Sequence, residues 1–261
     1  GDELFGGYTR YFMANRVWRK IHKIPMVFRK LIAKAIMILT PKTWDFILNN
    51  IFKILPLSYR LSHPADKIYK LSRIITSNNI YEVYDRLVSR WSNPSEVVLN
   101  AKKINNNQQK NLGFNSPENE MMFRDSTTFL PDDILAKVDR ASMSVSLETR
   151  APFLDKNVVE FAWQLSLNMK IRNSQGKWIL RKVLDRYVPK ELINRPKMGF
   201  GVPIDAWLRG PLKVWAEELL SEKRLQDDGY FNVYLIRKKW NEHLSGSQNW
   251  QYHLWSVLMF Q

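Results

Sequence analysis

Apolar residues recur at helical spacing along most of this sequence, and this periodicity limits the available folds more than any other feature. Alternating patterns typical of strands are almost missing, since the apolar run at residues 97–99 is too short to form one. We therefore predict a mainly α fold, with helix ends defined to within a few residues. The predicted helices cover residues 8–22, 25–39, 42–54, 64–76, 79–91, 117–129, 131–146, 155–167, 175–187, 211–222, 232–244 and 248–260.

Capping signals support several of these helices. Pro25 and Pro117 suit first-turn positions, while Ser116, Asp155 and Asn232 suit N-caps because their side-chain oxygens can accept from free backbone N–H groups. Residues 100–116 and 194–203 lack helical periodicity, so we predict a polar surface loop and a Pro/Gly loop there.

Composition excludes several classes of site and of protein. The sequence contains no cysteine, which rules out disulfides, thiolate zinc sites and a cysteine nucleophile within it. Its four histidines are scattered without metal-ligand spacing. No stretch approaches the ~18 to 20 apolar residues that a membrane helix needs, so we predict no association with a membrane.

The net charge of +15 raises the question of an anionic partner. Much of the excess lies between Arg10 and Lys34, where cations alternate with apolar residues. That pattern indicates a helical region with an apolar face and a solvated basic face. An acidic domain of the same protein or, as an alternative function, nucleic acid could instead cover the basic face.

Three groups of residues could carry chemistry, and the first is Asp2 with Glu3. Two carboxylates beside the Gly6–Gly7 turn could hold Mg²⁺, which accepts one or two carboxylates together with phosphate oxygens. An ordinary helix start, with acidic residues near the positive end of the dipole, is the alternative, and these two residues by themselves favour it.

A second group lies between residues 129 and 144. On a helix, Asp133, Lys137 and Arg140 share one face and pair opposite charges. The pattern fits a surface ladder of salt bridges. It also fits a buried ionic network lining a cleft, because the charges alternate with Leu, Phe and Pro.

The third group is cationic. Arg195 and Lys197 lie in the Pro/Gly loop, and Lys177 precedes a predicted helix. A lysine on such a loop can close over a phosphate and neutralise charge that develops as a phosphoryl bond breaks. Cations at a helix start oppose the helix dipole, so Lys177 is a candidate for meeting an anionic ligand.

Together these segments resemble one family. Residues 1–11, GDELFGGYTRY, are similar to a motif in the synthetase domain of glutamine-hydrolysing asparagine synthetases. Two later segments resemble the same family in the same order. They are residues 129–155, which contain LPDDILAKVDR and SLETRAPFLD, and residues 176–212, which contain RPKMGFGVP. The likeness is strong over residues 1–12 and 125–215, and elsewhere it extends only to helical patterning.

The resemblance implies the helical C-terminal portion of an α/β synthetase domain of the PP-loop ATP pyrophosphatase fold, with most of the parallel sheet missing. It implies that ATP and aspartate give β-aspartyl-AMP and pyrophosphate. Ammonia released from glutamine in an N-terminal glutaminase domain then attacks the acyl-adenylate. The implied cofactors are ATP and Mg²⁺.

Roles follow only for residues that match the motifs. Asp2 stands where the family binds Mg²⁺ beside pyrophosphate. Lys197 stands where a lysine stabilises the adenylation transition state, and Lys177 stands where a lysine contacts the phosphates. Asp132, Asp133 and Lys137 match a charged segment near the aspartate and acyl-adenylate, without individual roles.

Parts of the family pattern are absent from the sequence, namely the SGGxDS phosphate loop, the adenine pocket and the glutaminase half with its cysteine. We therefore expect the interior of a longer cytoplasmic protein, whose homodimerisation stays open, and we expect residues 1–261 alone neither to bind ATP tightly nor to make asparagine. The expected segments are the metal and pyrophosphate motif 1–12, a variable helical region 13–124, active-site helices with the cationic loop 125–215, and a helical tail 216–261.

Three alternatives to asparagine synthesis remain at this point. A relative with the same adenylating core could form another product, as a β-lactam synthetase or an amidotransferase of a polysaccharide or peptide pathway does. A basic helical module could bind nucleic acid. A degenerate copy could be retained for assembly only.

Overall fold

The computed structural model describes residues 1–39, 41–54, 64–101, 113–193 and 201–261, and these are mainly helical. Isolated bridges pair Val98 with Phe231 and Arg172 with Gln175. The helices are α1 (Asp2–Phe5), α2 (Thr9–Ile21), α3 (Met26–Ile38), α4 (Pro41–Ile54), α5 (Pro64–Ile74), α6 (Ile80–Val88), α7 (Pro94–Val97), α8 (Pro117–Thr127), α9 (Ala136–Met143), α10 (Lys156–Gln164), α11 (Leu167–Lys170), α12 (Trp178–Leu184), α13 (Lys190–Ile193), α14 (Ile204–Arg209), α15 (Lys213–Leu219), α16 (Glu222–Asp228), α17 (Val233–Leu244) and α18 (Gln251–Leu258).

The predicted mainly α fold is confirmed in the part of the chain that the structure describes. Each predicted helical range contains a helix, and N-caps form as predicted: Ser116 accepts from the Asn119 N–H, and Asn232 accepts from the Leu235 N–H. The predictions missed short helices of four to seven residues, because two turns or fewer show too little periodicity. These are α1, α7, α11, α13, α14 and α16.

One predicted helix, 131–146, differs in its first part. A π-helical segment, Leu130–Leu135, precedes α9. Pro131 lies at its start, and proline removes a backbone donor and crowds the preceding carbonyl, which disfavours a regular α-helical turn. The π-helical segment contains Asp132 and Asp133 and leads directly into α9.

The described residues divide into two compact units. The first consists of residues 1–24, 77–87 and 113–193, and the second of residues 25–39, 41–54, 64–76, 88–101 and 201–261. In the first unit Leu4, Phe5 and Ala162 are buried against Trp163 and Ile179. In the second, a larger cluster centres on residues buried completely: Leu208, Ala216, Leu220, Leu225, Ile236, Trp240 and Leu254. The four-segment division of the sequence stays a prediction.

The basic region between Arg10 and Lys34 is only partly the solvated face that we expected. Arg10 forms an ion pair with the buried Asp125, with 2.7 Å between nitrogen and oxygen. Arg29 is also buried and donates to the Ile75 carbonyl at 3.3 Å. Both guanidinium groups satisfy polar groups inside the units, which a charge pattern alone does not reveal.

Among the described helices, none is long and apolar enough to cross a membrane.

Candidate active site

The site begins at a glycine turn that ends α1. Gly6 has a φ of +67°, a left-handed conformation that glycine adopts without a steric penalty, and the Gly7 N–H donates to the Asp2 carbonyl at 2.8 Å. A Cβ on Gly6 would lie 2.4 Å from the Ile171 side chain, and one on Gly7 would lie 2.1 Å from the Asp2 carboxylate. The turn therefore requires glycine at both positions.

A second turn brings Lys177 to the first. Arg172 and Gln175 exchange two backbone hydrogen bonds of 2.9 Å across Asn173 and Ser174, which both have positive φ values. This is the pattern of a tight type I′ turn. The chain then places Gly176 so closely against Gly6 that a Cβ there would lie 2.0 Å from the Gly6 carbonyl oxygen.

Lys177 follows at once, in a left-handed conformation with a φ of +57°. Its N–H donates to the Phe5 carbonyl at 2.8 Å, which ties the start of α12 to the end of α1. A left-handed conformation costs a residue other than glycine about 1–3 kcal/mol and persists only where the surroundings enforce it. The strain therefore lies at the point where the two loops meet.

Asp2 and Lys177 form an ion pair at this junction, with 3.0 Å between the lysine Nζ and the Asp2 Oδ2. The two side chains are 29% and 36% exposed. Ion pairs this accessible contribute about 0–1 kcal/mol, so the pair does not offset the strain at Lys177. The contacts thus favour a role in binding or chemistry over a role in stability.

Glu3 does not join Asp2 in a paired-carboxylate site. It is buried, and it accepts from the Tyr8 hydroxyl at 2.7 Å. Burial, followed by the hydrogen bond to Glu3, raises the pKa of Tyr8 well above its ordinary value, so this phenol remains a donor. The interpretation of Asp2 and Glu3 as two ligands of one cation is therefore wrong for this structure.

Sequence reasoning missed a buried carboxylate, Asp125, that positions α2 immediately after the glycine turn. Asp125 accepts from Arg10 Nε at 2.9 Å and from the hydroxyls of Tyr11 and Tyr84 at 2.6 and 2.5 Å. Burial raises the pKa of both tyrosines. The signal available in the sequence was the Arg10–Tyr11 pair at the end of the first motif.

The remaining predicted residues have different outcomes. Lys197 and Arg195 lie outside the described residues, so the catalytic role predicted for Lys197 stays a prediction. Asp133 and Lys137 pair at 3.0 Å with 45% and 66% of their side chains exposed, and Asp132 is exposed beside them. These charges are therefore exposed and do not form the buried ionic network considered for this segment, and one pair of the alternative surface ladder, Asp133 with Lys137, is present.

The side chains available as metal ligands limit which metal ion this site could hold. Among the described residues there is no group of three or more His, Cys, Asp or Glu side chains placed to bind a metal ion. Asp2 Oδ1, however, is buried without a hydrogen-bond partner. Mg²⁺ is commonly bound by one or two carboxylates, with phosphate oxygens and water as further ligands. Asp2 therefore fits a Mg²⁺ ion that arrives with a polyphosphate.

Comparison with known proteins supplies the family. A model described as "Asparagine synthase" matches residues 1–261. The chain belongs to the asparagine synthase family. The three segments that carried the resemblance in sequence all lie within this match.

The individual proteins that the chain resembles include asparagine synthetases and an amidase. "Asparagine synthetase [glutamine-hydrolyzing] 1" of Bacillus subtilis (strain 168) is 34% identical over 142 residues, which is 54% of this chain and 22% of the relative. "Putative asparagine synthetase [glutamine-hydrolyzing]" of Mycobacterium tuberculosis (strain ATCC 25618 / H37Rv) is 30% identical over 99% of this chain and 37% of the relative. "Amidase chry2" of Gibberella zeae is 29% identical over 40% of this chain and 16% of that protein.

The chain thus spans roughly a fifth to two fifths of the length of the synthetase relatives that it matches. No solved structure matches it significantly.

Proposed function

We propose that the protein containing this chain is a glutamine-dependent asparagine synthetase that uses ATP. Its synthetase part activates aspartate as β-aspartyl-AMP, and ammonia from glutamine displaces AMP to give asparagine. The observation that carries the proposal is the 3.0 Å contact between Asp2 and Lys177, two residues remote in sequence and brought together by glycine turns of two family motifs. Membership of the asparagine synthase family supports the same reaction.

The residues at the junction suit the departure of pyrophosphate. When the aspartate carboxylate attacks the α-phosphorus of ATP, the bond to the β-phosphate bridging oxygen breaks and negative charge accumulates on the leaving group. The Lys177 ammonium, 36% exposed, would meet that charge, and fixed cations of this kind stabilise a transition state more than the ground state. The free Asp2 Oδ1 would hold Mg²⁺, which when bound neutralises phosphate charge. Lys197 would add a second cation from its loop.

The partners in this proposal are aspartate, ATP, glutamine-derived ammonia and a glutaminase domain of the same protein. The relatives' name, glutamine-hydrolyzing, supports that domain. An exposed apolar surface on the first unit supports further packing against protein: Val145 is 73% exposed and Leu147 59% exposed. We keep the prediction that residues 1–261 alone do not bind ATP tightly at the synthetase site and do not make asparagine. The cytoplasmic location and the homodimer also stay predictions.

The test is aspartate-dependent exchange of pyrophosphate into ATP, measured on the full-length protein. Lys177→Met should lower kcat/KM for exchange by ~10²–10³-fold, the usual effect of removing one such stabilising group. Lys182→Met is the matched control, because Lys182 lies on α12, is 54% exposed, pairs with Asp185 at 3.7 Å and otherwise lies 5.9 Å from the centre of the Trp178 ring. Equal exchange in wild type and Lys177→Met would refute the role of the lysine.

The same assay separates the alternatives. A relative making another amide or lactam would exchange pyrophosphate with a different acid and not with aspartate. A copy kept for assembly would exchange with no acid, while assembling normally. Either result would replace the proposal of asparagine synthesis.

A further inference from the structure

A cleft on the first unit has no part in the proposed synthetase reaction. It has a volume of about 410 Å³ and is formed by α2 on one side and the 172–175 turn on the other. Its lining includes Phe12, Asn15, Arg16, Arg19, Lys20 and Lys23, with Ser174 opposite and Glu118 at the base. The volume lies in the range of small-molecule sites.

The cations of this cleft form one stripe. Arg16, Arg19 and Lys20 lie on one face of α2, and Lys23 continues the i, i+3, i+4, i+7 spacing in the turn just after α2 ends; all four are exposed. None of them forms an ion pair with a carboxylate of the described residues. Like charges four residues apart destabilise a helix by about 0.2–0.5 kcal/mol a pair. The helix dipole favours cations in the last turn of α2. It does not explain why these cations line a cleft with Ser174 of the 172–175 turn.

That facing wall is fixed in place. Arg16 donates to the Ser174 hydroxyl at 2.9 Å, and Ser174 lies at the strained type I′ turn with a φ of +60°. The acidic group of the cleft, Glu118, is 8% exposed and accepts from Asn15 at 2.7 Å. Its position at the base leaves the opening of the cleft dominated by cations.

We propose that this cleft binds a linear oligophosphate, as the phosphate chain of a nucleoside triphosphate or as inorganic polyphosphate, at a site separate from the Asp2–Lys177 junction. Three cations on one face of α2 and a fourth just after it match several adjacent phosphates, and arginine and lysine are the usual phosphate-binding side chains. Phe12, which is partly buried and lines the cleft, offers an aromatic ring on which a base can stack.

The test uses the full-length protein and counts binding sites by calorimetric titration with inorganic tripolyphosphate. Wild type should show two sites. The variant Arg19→Gln/Lys20→Gln/Lys23→Gln should lose one site or bind there at least ten-fold more weakly, while keeping aspartate-dependent exchange. The matched control Lys30→Gln/Lys34→Gln, which removes exposed cations of α3, should keep both sites.

Lys177→Met separates this inference from the proposed function, because it should remove the other site and leave the cleft intact. If the triple variant loses a site and Lys177→Met loses none, the cleft stands and the proposed junction fails. A triple variant that folds and still binds two equivalents with wild-type affinity would overturn the cleft.

Two further ligands identify the source of the phosphates. If a base stacks on Phe12, Phe12→Ala should weaken the binding of a nucleoside triphosphate and leave the binding of tripolyphosphate unchanged. If wild type and Phe12→Ala bind the two ligands equally well, the ligand is inorganic polyphosphate. A single-stranded oligonucleotide that binds the cleft more than a hundred-fold more tightly than tripolyphosphate, with steep salt dependence, would overturn the proposal in favour of nucleic acid.

Discussion

Gly176→Ala tests whether the close approach of the two loops sets the geometry of the candidate site. An added Cβ would lie 2.0 Å from the Gly6 carbonyl oxygen, 2.9 Å from its carbon and 3.1 Å from the Gly7 Cα. Because all three contacts are with backbone, no side chain can rotate away. Cβ contacts below 3.0 Å essentially do not occur, so the loops must separate by at least about 1 Å. A displacement of about 1 Å in a catalytic arrangement can cost ~10²-fold in rate.

The measurement is kcat/KM for aspartate-dependent pyrophosphate exchange, together with the urea midpoint of the same preparation. We expect exchange to fall about a hundred-fold, and overpacking to lower the free energy of unfolding by about 1–3 kcal/mol. Gly229→Ala is the matched control: Gly229 has a φ of +66° but open space around it, so it adds backbone strain without a clash. Exchange in Gly176→Ala within two-fold of wild type would show that the junction does not position reacting groups.

Two predictions concern stability. Asp125→Asn should lower the free energy of unfolding by about 3 kcal/mol, because it leaves Arg10 without its buried counter-charge. The exposed control Asp227→Asn should change this free energy little. Equal urea midpoints for the two variants would contradict the role of Asp125. Burial lowers the pKa of His243 to about 4, so this histidine stays neutral in the fold while the unfolded chain takes up protons below about pH 6.5. The stabilising contribution of neutral His243 is therefore fully present above pH 6.5 and is lost between pH 6.5 and 4, and the loss is on the order of 1–2 kcal/mol at pH 5. Urea unfolding measured at pH 7 and at pH 5 should show a smaller drop in the free energy of unfolding for His243→Asn than for wild type. The exposed control His22→Asn should show the same drop as wild type.

The helices could be predicted from sequence because their signals are local. Apolar periodicity marked the longer helices, and capping side chains such as Ser116 and Asn232 marked helix starts that the structure confirms. The π-helical segment around Pro131 depends on how a proline is accommodated within a helix, and the short α1 and α11 are stabilised by tertiary contacts. A pattern read along the chain contains neither kind of information.

The candidate site was predictable only in part. Asp2 and Lys177 were connected through a family resemblance, since no local rule brings together residues so far apart in sequence. The burial of Asp125 could not be predicted, because a single acidic residue in an amphipathic helix is far more often exposed than buried. Its partners Tyr11 and Tyr84 come from two other helices, so only the fold reveals the network.

The charged segment around Asp133 shows why burial is harder to predict than secondary structure. The alternation of Asp133 and Lys137 with apolar residues equally fits a buried network and a surface ladder, and here both side chains are exposed. Apolar residues close by in sequence are exposed too, with Val138 at 47% and Met143 at 52%. Whether a charge on such a surface is solvated depends on what packs against it, which neither the periodicity nor the charge of the segment determines.

Backbone strain concentrates at the candidate site, and this bears on what the site is for. Among the described residues other than glycine, five have positive φ, and Asn173, Ser174 and Lys177 are three of them. At about 1–3 kcal/mol each, these conformations cost more than the exposed Asp2–Lys177 ion pair supplies, since such a pair contributes at most about 1 kcal/mol. A type I′ turn favours asparagine at the position of Asn173 but glycine at the position of Ser174, and glycine also adopts the conformation of Lys177 without strain. The chain instead places serine against Arg16 and lysine against Asp2, so one strained segment presents a polar group to the cleft and a cation to the junction.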